Sequence, residues 1–132
     1  MAIRALIVDD SPLARTIIHH HLRKCGCVIV GEAENPAQAV KLCLQLKPDL
    51  VTFDIMMPTV EGLDSLAAFR LIKKECPHTT IVVVSALPFE KTRETFLKEG
   101  ALTYVIKPFN QFSFEPVRQR LLRVFPEMAA NG

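Results

Sequence analysis

Five short apolar runs recur along the chain, Ala5–Val8, Val28–Val30, Leu50–Phe53, Ile81–Val84 and Tyr104–Ile106, each separated from the next by room for a helix. Uninterrupted apolar runs of this length suit strands whose sheet is covered by helices on both faces. The intervening segments carry helical spacing and start signals. Ser11 is a good N-cap, and Pro12 fits the first helical position, where a missing N–H costs nothing. The helix that follows is expected to turn Leu13, Ile17, Ile18 and Leu22 toward the sheet and to end near Gly26. Asn35-Pro36 repeats the start signal, and Ala39, Val40, Cys43, Leu44 and Leu46 follow before Lys47-Pro48. Leu66, Phe69, Leu71 and Ile72 mark a third helix that stops before Cys76-Pro77. A fourth is expected from about Phe89 to Gly100 and a fifth from about Gln111 to Phe125.

Strand and helix therefore alternate five times, the signature of a parallel sheet between two helical layers with right-handed crossovers. The expected fold is a three-layer α/β/α sandwich with a five-stranded parallel sheet of order 2-1-3-4-5. In that order the first and third strands are neighbours, so the loops after them meet at one edge of the sheet. At 132 residues the chain suits one domain, placed at residues 1–126, with 127–132 as a C-terminal tail.

Composition narrows the classes of function. A formal net charge of +2 is too small to argue for nucleic acid, and no direct nucleic-acid role is expected. No apolar run approaches the length of a membrane span, and the N-terminal apolar patch is too short for a signal peptide, so a cytosolic protein is expected. Cys25, Cys27, Cys43 and Cys76 lack zinc-finger spacing and read as reduced thiols packed as small hydrophobes.

The chemistry lies where the apolar runs stop. Asp9-Asp10 follows the first run, Asp54 the third, Ser85-Ala86 the fourth and Lys107-Pro108 the fifth. Met-Met-Pro and a glycine after Asp54 force the chain out of the sheet at once. Three crowded carboxylates repel one another unless a cation neutralises them. An all-oxygen donor set suits a hard ion, Mg²⁺ or Mn²⁺. Lys107 adds a fixed charge for a phosphoryl group and Ser85 a hydroxyl donor. A carboxylate nucleophile, a hard cation, a lysine and a hydroxyl together are what phosphoryl transfer to an aspartate requires.

With V-D-D-S at Val8 to Ser11, D-I-M-M-P at Asp54 to Pro58, S-A at Ser85-Ala86 and K-P-F at Lys107 to Phe109, the chain resembles the receiver domains of two-component response regulators, in plan the single-domain, CheY-like chemotaxis type with its flavodoxin-like sheet. Each motif alone is weak; all four in order, each at a strand end, are specific. The resemblance implies that Asp54 is the phosphoacceptor, taking its phosphoryl group from a sensor histidine kinase or a histidine phosphotransfer protein. It implies that Asp9 and Asp10 hold Mg²⁺ with Asp54 and the backbone carbonyl of Met56. Ser85 and Lys107 match the groups that bind the phosphoryl oxygens, and Tyr104 the aromatic switch beside them. The output implied is binding of an effector, or of a second copy as a homodimer, on the face of the fourth helix, fifth strand and fifth helix. A cis peptide at Lys107-Pro108 is also implied. Such a domain catalyses only its own phosphorylation and dephosphorylation. Glu61 stands where the family usually has Asp or Asn and reads as a benign surface change. Met56 and Leu87 are apolar where many members are polar, which points to a long-lived aspartyl phosphate.

Plainer readings compete. Asp54 alone would pass for an acid capping the next turn, Ser85 for turn chemistry and Tyr104 for core packing. His19-His20-His21 suggests a metal, but consecutive helical residues point in different directions and cannot share one ion. Arg118, Arg120 and Arg123 read as a solvated or partner-facing surface. Among rival functions, a haloacid-dehalogenase-type phosphatase needs a second Asp where Met56 stands. A flavin carrier needs a phosphate-binding first loop, which Asp9-Asp10 would repel. A degenerate receiver acting as a scaffold is disfavoured because every catalytic position is filled.

Overall fold

The computed structural model describes residues 2–86 and 89–127. Among them the order is β1 (Ile3–Val8), α1 (Pro12–Lys24), β2 (Cys27–Ala33), α2 (Pro36–Leu46), β3 (Leu50–Asp54), α3 (Ser65–Glu75), β4 (Thr80–Ser85), α4 (Glu90–Lys98), β5 (Thr103–Ile106) and α5 (Glu115–Val124). All strand pairs are parallel, in the order β2-β1-β3-β4-β5. This is the expected doubly wound sheet, with β1 and β3 side by side at its centre.

Alternate residues of each strand feed two cores, because successive strand side chains point to opposite faces. Leu6, Val8, Val51, Phe53, Ile81 and Val83 pack with Ala39, Val40 and Cys43 of α2, Ala68, Phe69 and Ile72 of α3, and Phe96 of α4. Ile3, Ala5, Ile7, Leu50, Val82 and Val84 pack on the other face with Ile18 and Leu22 of α1 and Val117 and Leu121 of α5. All four cysteines are buried free thiols. Burial pushes Cys27 and Cys43 up to about 12, which leaves them unreactive as nucleophiles.

The helix starts work as their residues suggest. Ser11 accepts the Ala14 N–H and Asn35 the Gln38 N–H. Asp64 does the same for Ala67 at 2.8 Å, a cap that the apolar spacing around Leu66 did not reveal.

Several details differ from the sequence expectation. Leu13 and Ile17 are 71% and 38% exposed, while Ile18 and Leu22 are fully buried. At 100° per residue Leu13 lies about 140° around the helix from Ile18, so one sheet cannot cover both. The fifth helix begins at Glu115 rather than Gln111, after turns in which Asn110 accepts the Phe112 N–H and its own N–H donates to Ser113. β2 is longer than its apolar run. It carries a bulge that skips Val30, since Ala5 pairs with Ile29 and Leu6 with Gly31.

The loop after β3 holds a tight hairpin in which Val60 and Leu63 exchange both backbone hydrogen bonds, at 3.1 and 3.0 Å. Its two turn residues, Glu61 and Gly62, have φ of 54° and 76°. Positive φ at both positions is the requirement of a type I′ turn, which favours Asn-Gly. Glu61 is on the surface as expected, but it occupies a left-handed conformation that suits its side chain poorly.

Candidate functional site

At the C-terminal edge of the sheet, β1 and β3 deliver their acids side by side because Val8 pairs with Phe53 in register. Asp9 and Asp54 are 0% and 3% exposed, whereas Asp10 is exposed. One carboxylate oxygen from each of Asp9, Asp10 and Asp54 lies within 4.8 Å of the others. Among the described residues this is the only group of three or more His, Cys, Asp or Glu able to share an ion. The consecutive histidines form no such group. His21 instead stacks on Phe114 at 4.8 Å, and burial lowers its pKa.

Lys107, just beyond β5, reaches back across this cluster. Its Nζ lies 2.6 Å from Asp9 Oδ2 and 3.2 Å from Asp54 Oδ2. The Lys107-Pro108 peptide is cis, as the resemblance implied. The Lys107 backbone N–H donates to the Ser85 carbonyl at 2.8 Å, which ties the loop to the end of β4. Ser85 is fully buried beside it.

The electrostatics follow from burial. Desolvation raises the Asp54 pKa and the neighbouring Asp9 charge adds to it, against the opposing pull of the Met56 N–H and Lys107. Burial alone would lower Lys107, but hydrogen bonds and charges from Asp9 and Asp54 outweigh it and raise the pKa. One fixed ammonium is therefore shared by two buried carboxylates, with a third at the rim. The deficit of positive charge and the all-oxygen donors fit a hard divalent cation better than a soft one.

Each residue singled out in the sequence has a definite place. Asp9, Asp10, Asp54, Ser85 and Lys107 converge on this edge. The Met56 N–H donates to Asp54 Oδ1 at 2.9 Å, and the residue is 49% exposed. Tyr104 lies along β5 on the α2, α3 and α4 side, 9% exposed within the core cluster that contains Phe96. Leu87 is outside the described residues. Arg118 pairs with Glu115 on the surface of α5 at 2.8 Å, and Arg120 and Arg123 are also exposed.

Two features escaped the sequence reading. Leu13, Ala14 and Ile17 of α1 form an apolar shelf with Ala86, Pro108 and Phe109, directly beside Lys107. Helical geometry around Ile18 was the signal that could have revealed it. Arg15, in the first turns of α1, donates from Nη1 to the Asp9 carbonyl at 2.7 Å and lies 3.3 Å from Glu32. No motif announces that contact.

Comparison with known proteins places this geometry. The family model described as "Response regulator receiver domain" matches residues 5–115. The chain is 41% identical over 131 residues to a protein-glutamate methylesterase/protein-glutamine glutaminase of Archaeoglobus fulgidus, covering 97% of this chain but only 36% of that protein. It is 38% identical over 109 residues to the chemotaxis protein CheY of Thermotoga maritima, covering 83% of this chain and 88% of that one. Among solved structures, the CheX-CheY-BeF3-Mg complex of Borrelia burgdorferi contains a chain that matches with a TM-score of 0.80 at 28% identity, covering 93% of this chain and 89% of that one. No described helix is long and apolar enough to cross a membrane.

Proposed function

The chain belongs to the response regulator receiver domain family, and on that premise we propose that Asp54 accepts a phosphoryl group from the phosphohistidine of a sensor histidine kinase or histidine phosphotransfer protein. The observation that carries this reading is the Lys107 ammonium straddling two buried carboxylates, with a third within 4.8 Å. Asp9, Asp10, Asp54 and the Met56 carbonyl would hold the cation, Mg²⁺ or Mn²⁺. When bound, that ion supplies positive charge that keeps the carboxylates ionised and offsets charge on the transferring oxygens.

In the transfer, a carboxylate oxygen of Asp54 attacks phosphorus. The P–N bond to the donor imidazole breaks, and its electron pair stays with the imidazole nitrogen. The Met56 N–H holds Asp54 Oδ1 at 2.9 Å, which orients the carboxylate with Oδ2 turned toward Lys107 Nζ at 3.2 Å. Lys107 Nζ, already within reach of Oδ2, turns from the carboxylate to the new phosphoryl oxygens. The Ser85 hydroxyl donates to another of those oxygens. The apolar shelf of Leu13, Ile17 and Phe109 gives a donor protein a surface to seat on beside Asp54.

The output is a change of binding. About two added negative charges at Asp54 draw the loop after β4 toward the phosphoryl group, and Tyr104 follows. The exposed α4–β5–α5 face then changes its affinity for an effector or a second copy. Exposed Met56 presents a thioether rather than a polar group near the line of a hydrolytic water, which favours a long-lived aspartyl phosphate.

Incubation with acetyl phosphate, with and without Mg²⁺, followed by intact mass tests the reading. It expects one phosphate adduct that needs the metal and is absent in Asp54→Asn. No adduct on folded protein would favour a scaffold instead.

A further inference from the structure

We infer that Arg15 is a positioning residue for the metal-binding acids, clamped in place by Glu32; this rests on the proposal that Asp9, Asp10 and Asp54 hold a divalent cation.

Asp9 is held at four points. Its N–H donates to the Ala33 carbonyl at 2.9 Å, and its carbonyl accepts from Arg15 Nη1 at 2.7 Å. Its Oδ1 accepts the Ser11 N–H at 2.9 Å, and its Oδ2 accepts Lys107 Nζ at 2.6 Å. Of these, the Ser11 contact closes across Asp10, and the Arg15 contact fixes the carbonyl that precedes it. A carbonyl and the following N–H share one rigid peptide plane, so fixing the Asp9 oxygen fixes the plane from which Asp10 projects. Asp10 is exposed and stands at the rim of the cluster, so the orientation of that plane decides where its carboxylate can reach.

Arg15 is itself braced. Its side chain is only 18% exposed, and Nε lies 3.3 Å from Glu32 on the edge strand β2. The guanidinium therefore spans from β2 to the loop after β1, and Glu32 balances its charge. That balance matters, because an uncompensated cation beside the acids would oppose a divalent ion. Arg15 thus acts on the metal through the backbone while Glu32 offsets part of its charge.

The two effects of Arg15 have opposite signs, which makes them separable. Removing a nearby positive charge should strengthen cation binding, whereas removing a positioning contact should weaken it. Calorimetric titration of Mg²⁺ into wild type, Arg15→Met, Arg15→Lys and Glu32→Gln distinguishes them, with metal-free thermal unfolding as the check on folding. The clamp predicts at least about tenfold weaker Mg²⁺ binding in Arg15→Met, the scale seen when groups that orient metal ligands are lost. Arg15→Lys, which keeps a donor for the Asp9 carbonyl, recovers part of that loss. Glu32→Gln also weakens binding, by leaving the guanidinium unbalanced.

Equal or tighter binding in Arg15→Met, with wild type binding normally, overturns the clamp and leaves the metal site standing. A melting temperature that drops in Arg15→Met without a change in affinity assigns Arg15 to stability alone. If Arg15→Met does not fold, unchanged affinity in both Arg15→Lys and Glu32→Gln refutes the inference. Absence of Mg²⁺ binding in wild type refutes the metal reading itself.

Discussion

Replacing Lys107 with Met tests the electrostatic frame of the site, because Met keeps much of the apolar stem and removes only the charge. At 2.6 and 3.2 Å, and an effective dielectric of about 20, the two attractions of Nζ are worth about 6 and 5 kcal/mol before opposing terms. Desolvation of all three groups cancels most of this, and breaking a buried pair typically costs about 3–5 kcal/mol. A ceiling follows from protonation, since a stranded carboxylate can take up a proton instead. Above the ordinary aspartate value that costs about 1.4 kcal/mol per pH unit, or about 4 kcal/mol at pH 7. The expected loss is therefore about 3–4 kcal/mol at pH 7, falling below about 2 kcal/mol at pH 5. With a urea slope of about 1.5 kcal/mol/M, the midpoint should drop by about 2 M at pH 7 and by about 1 M or less at pH 5. Urea unfolding of both proteins without divalent metal at the two pH values reads this directly. Equal midpoints at pH 7, or a gap that does not narrow on acidification, would refute the reasoning.

Further substitutions probe separate parts of the structure. Asp54→Asn should be more stable than wild type at pH 7 without metal. The folded-state pKa of Asp54 is raised, so its contribution to stability is lost as pH rises through that value, and the gain should shrink on acidification in a pH series of thermal melts. Glu61→Asn should stabilise the protein by about 0.5–1 kcal/mol, because Asn tolerates the positive φ of the turn; an unchanged or lower denaturant midpoint would contradict the turn assignment. Thr52 is fully buried and its hydroxyl has no hydrogen-bond partner among the described residues, so Thr52→Val should stabilise by about 1 kcal/mol, measured the same way. A loss of stability in Thr52→Val would show that the hydroxyl is satisfied.

Much of this architecture is legible in the chain because it rests on local rules. The apolar runs mark the strands since both faces of the sheet are covered, and Ser11-Pro12 and Asn35-Pro36 mark helix starts because their capping is a short-range interaction. The site residues could be gathered from the ends of β1, β3, β4 and β5 because strand order alone brings those ends together. What stayed hidden depends on tertiary geometry. Leu13 and Ile17 look like core residues in one dimension, and only the angular width of the helix stripe shows that they point elsewhere. The bulge at Val30 and the left-handed Glu61 are set by how the edge strand and the loop hairpin close, not by their own preferences. Arg15 could not be singled out among 16 Lys and Arg, since its partner is a backbone carbonyl that carries no sequence signature.

Phosphorylation at Asp54 can be tested at the level of the atom. Borohydride reduces an acyl phosphate to an alcohol and so converts a phosphorylated aspartate into homoserine, which peptide mass spectrometry can place. After treatment with acetyl phosphate and Mg²⁺, homoserine is expected at position 54 and at no other aspartate. Homoserine at Asp9, Asp10 or elsewhere, or a phosphate adduct that resists borohydride altogether, would contradict it.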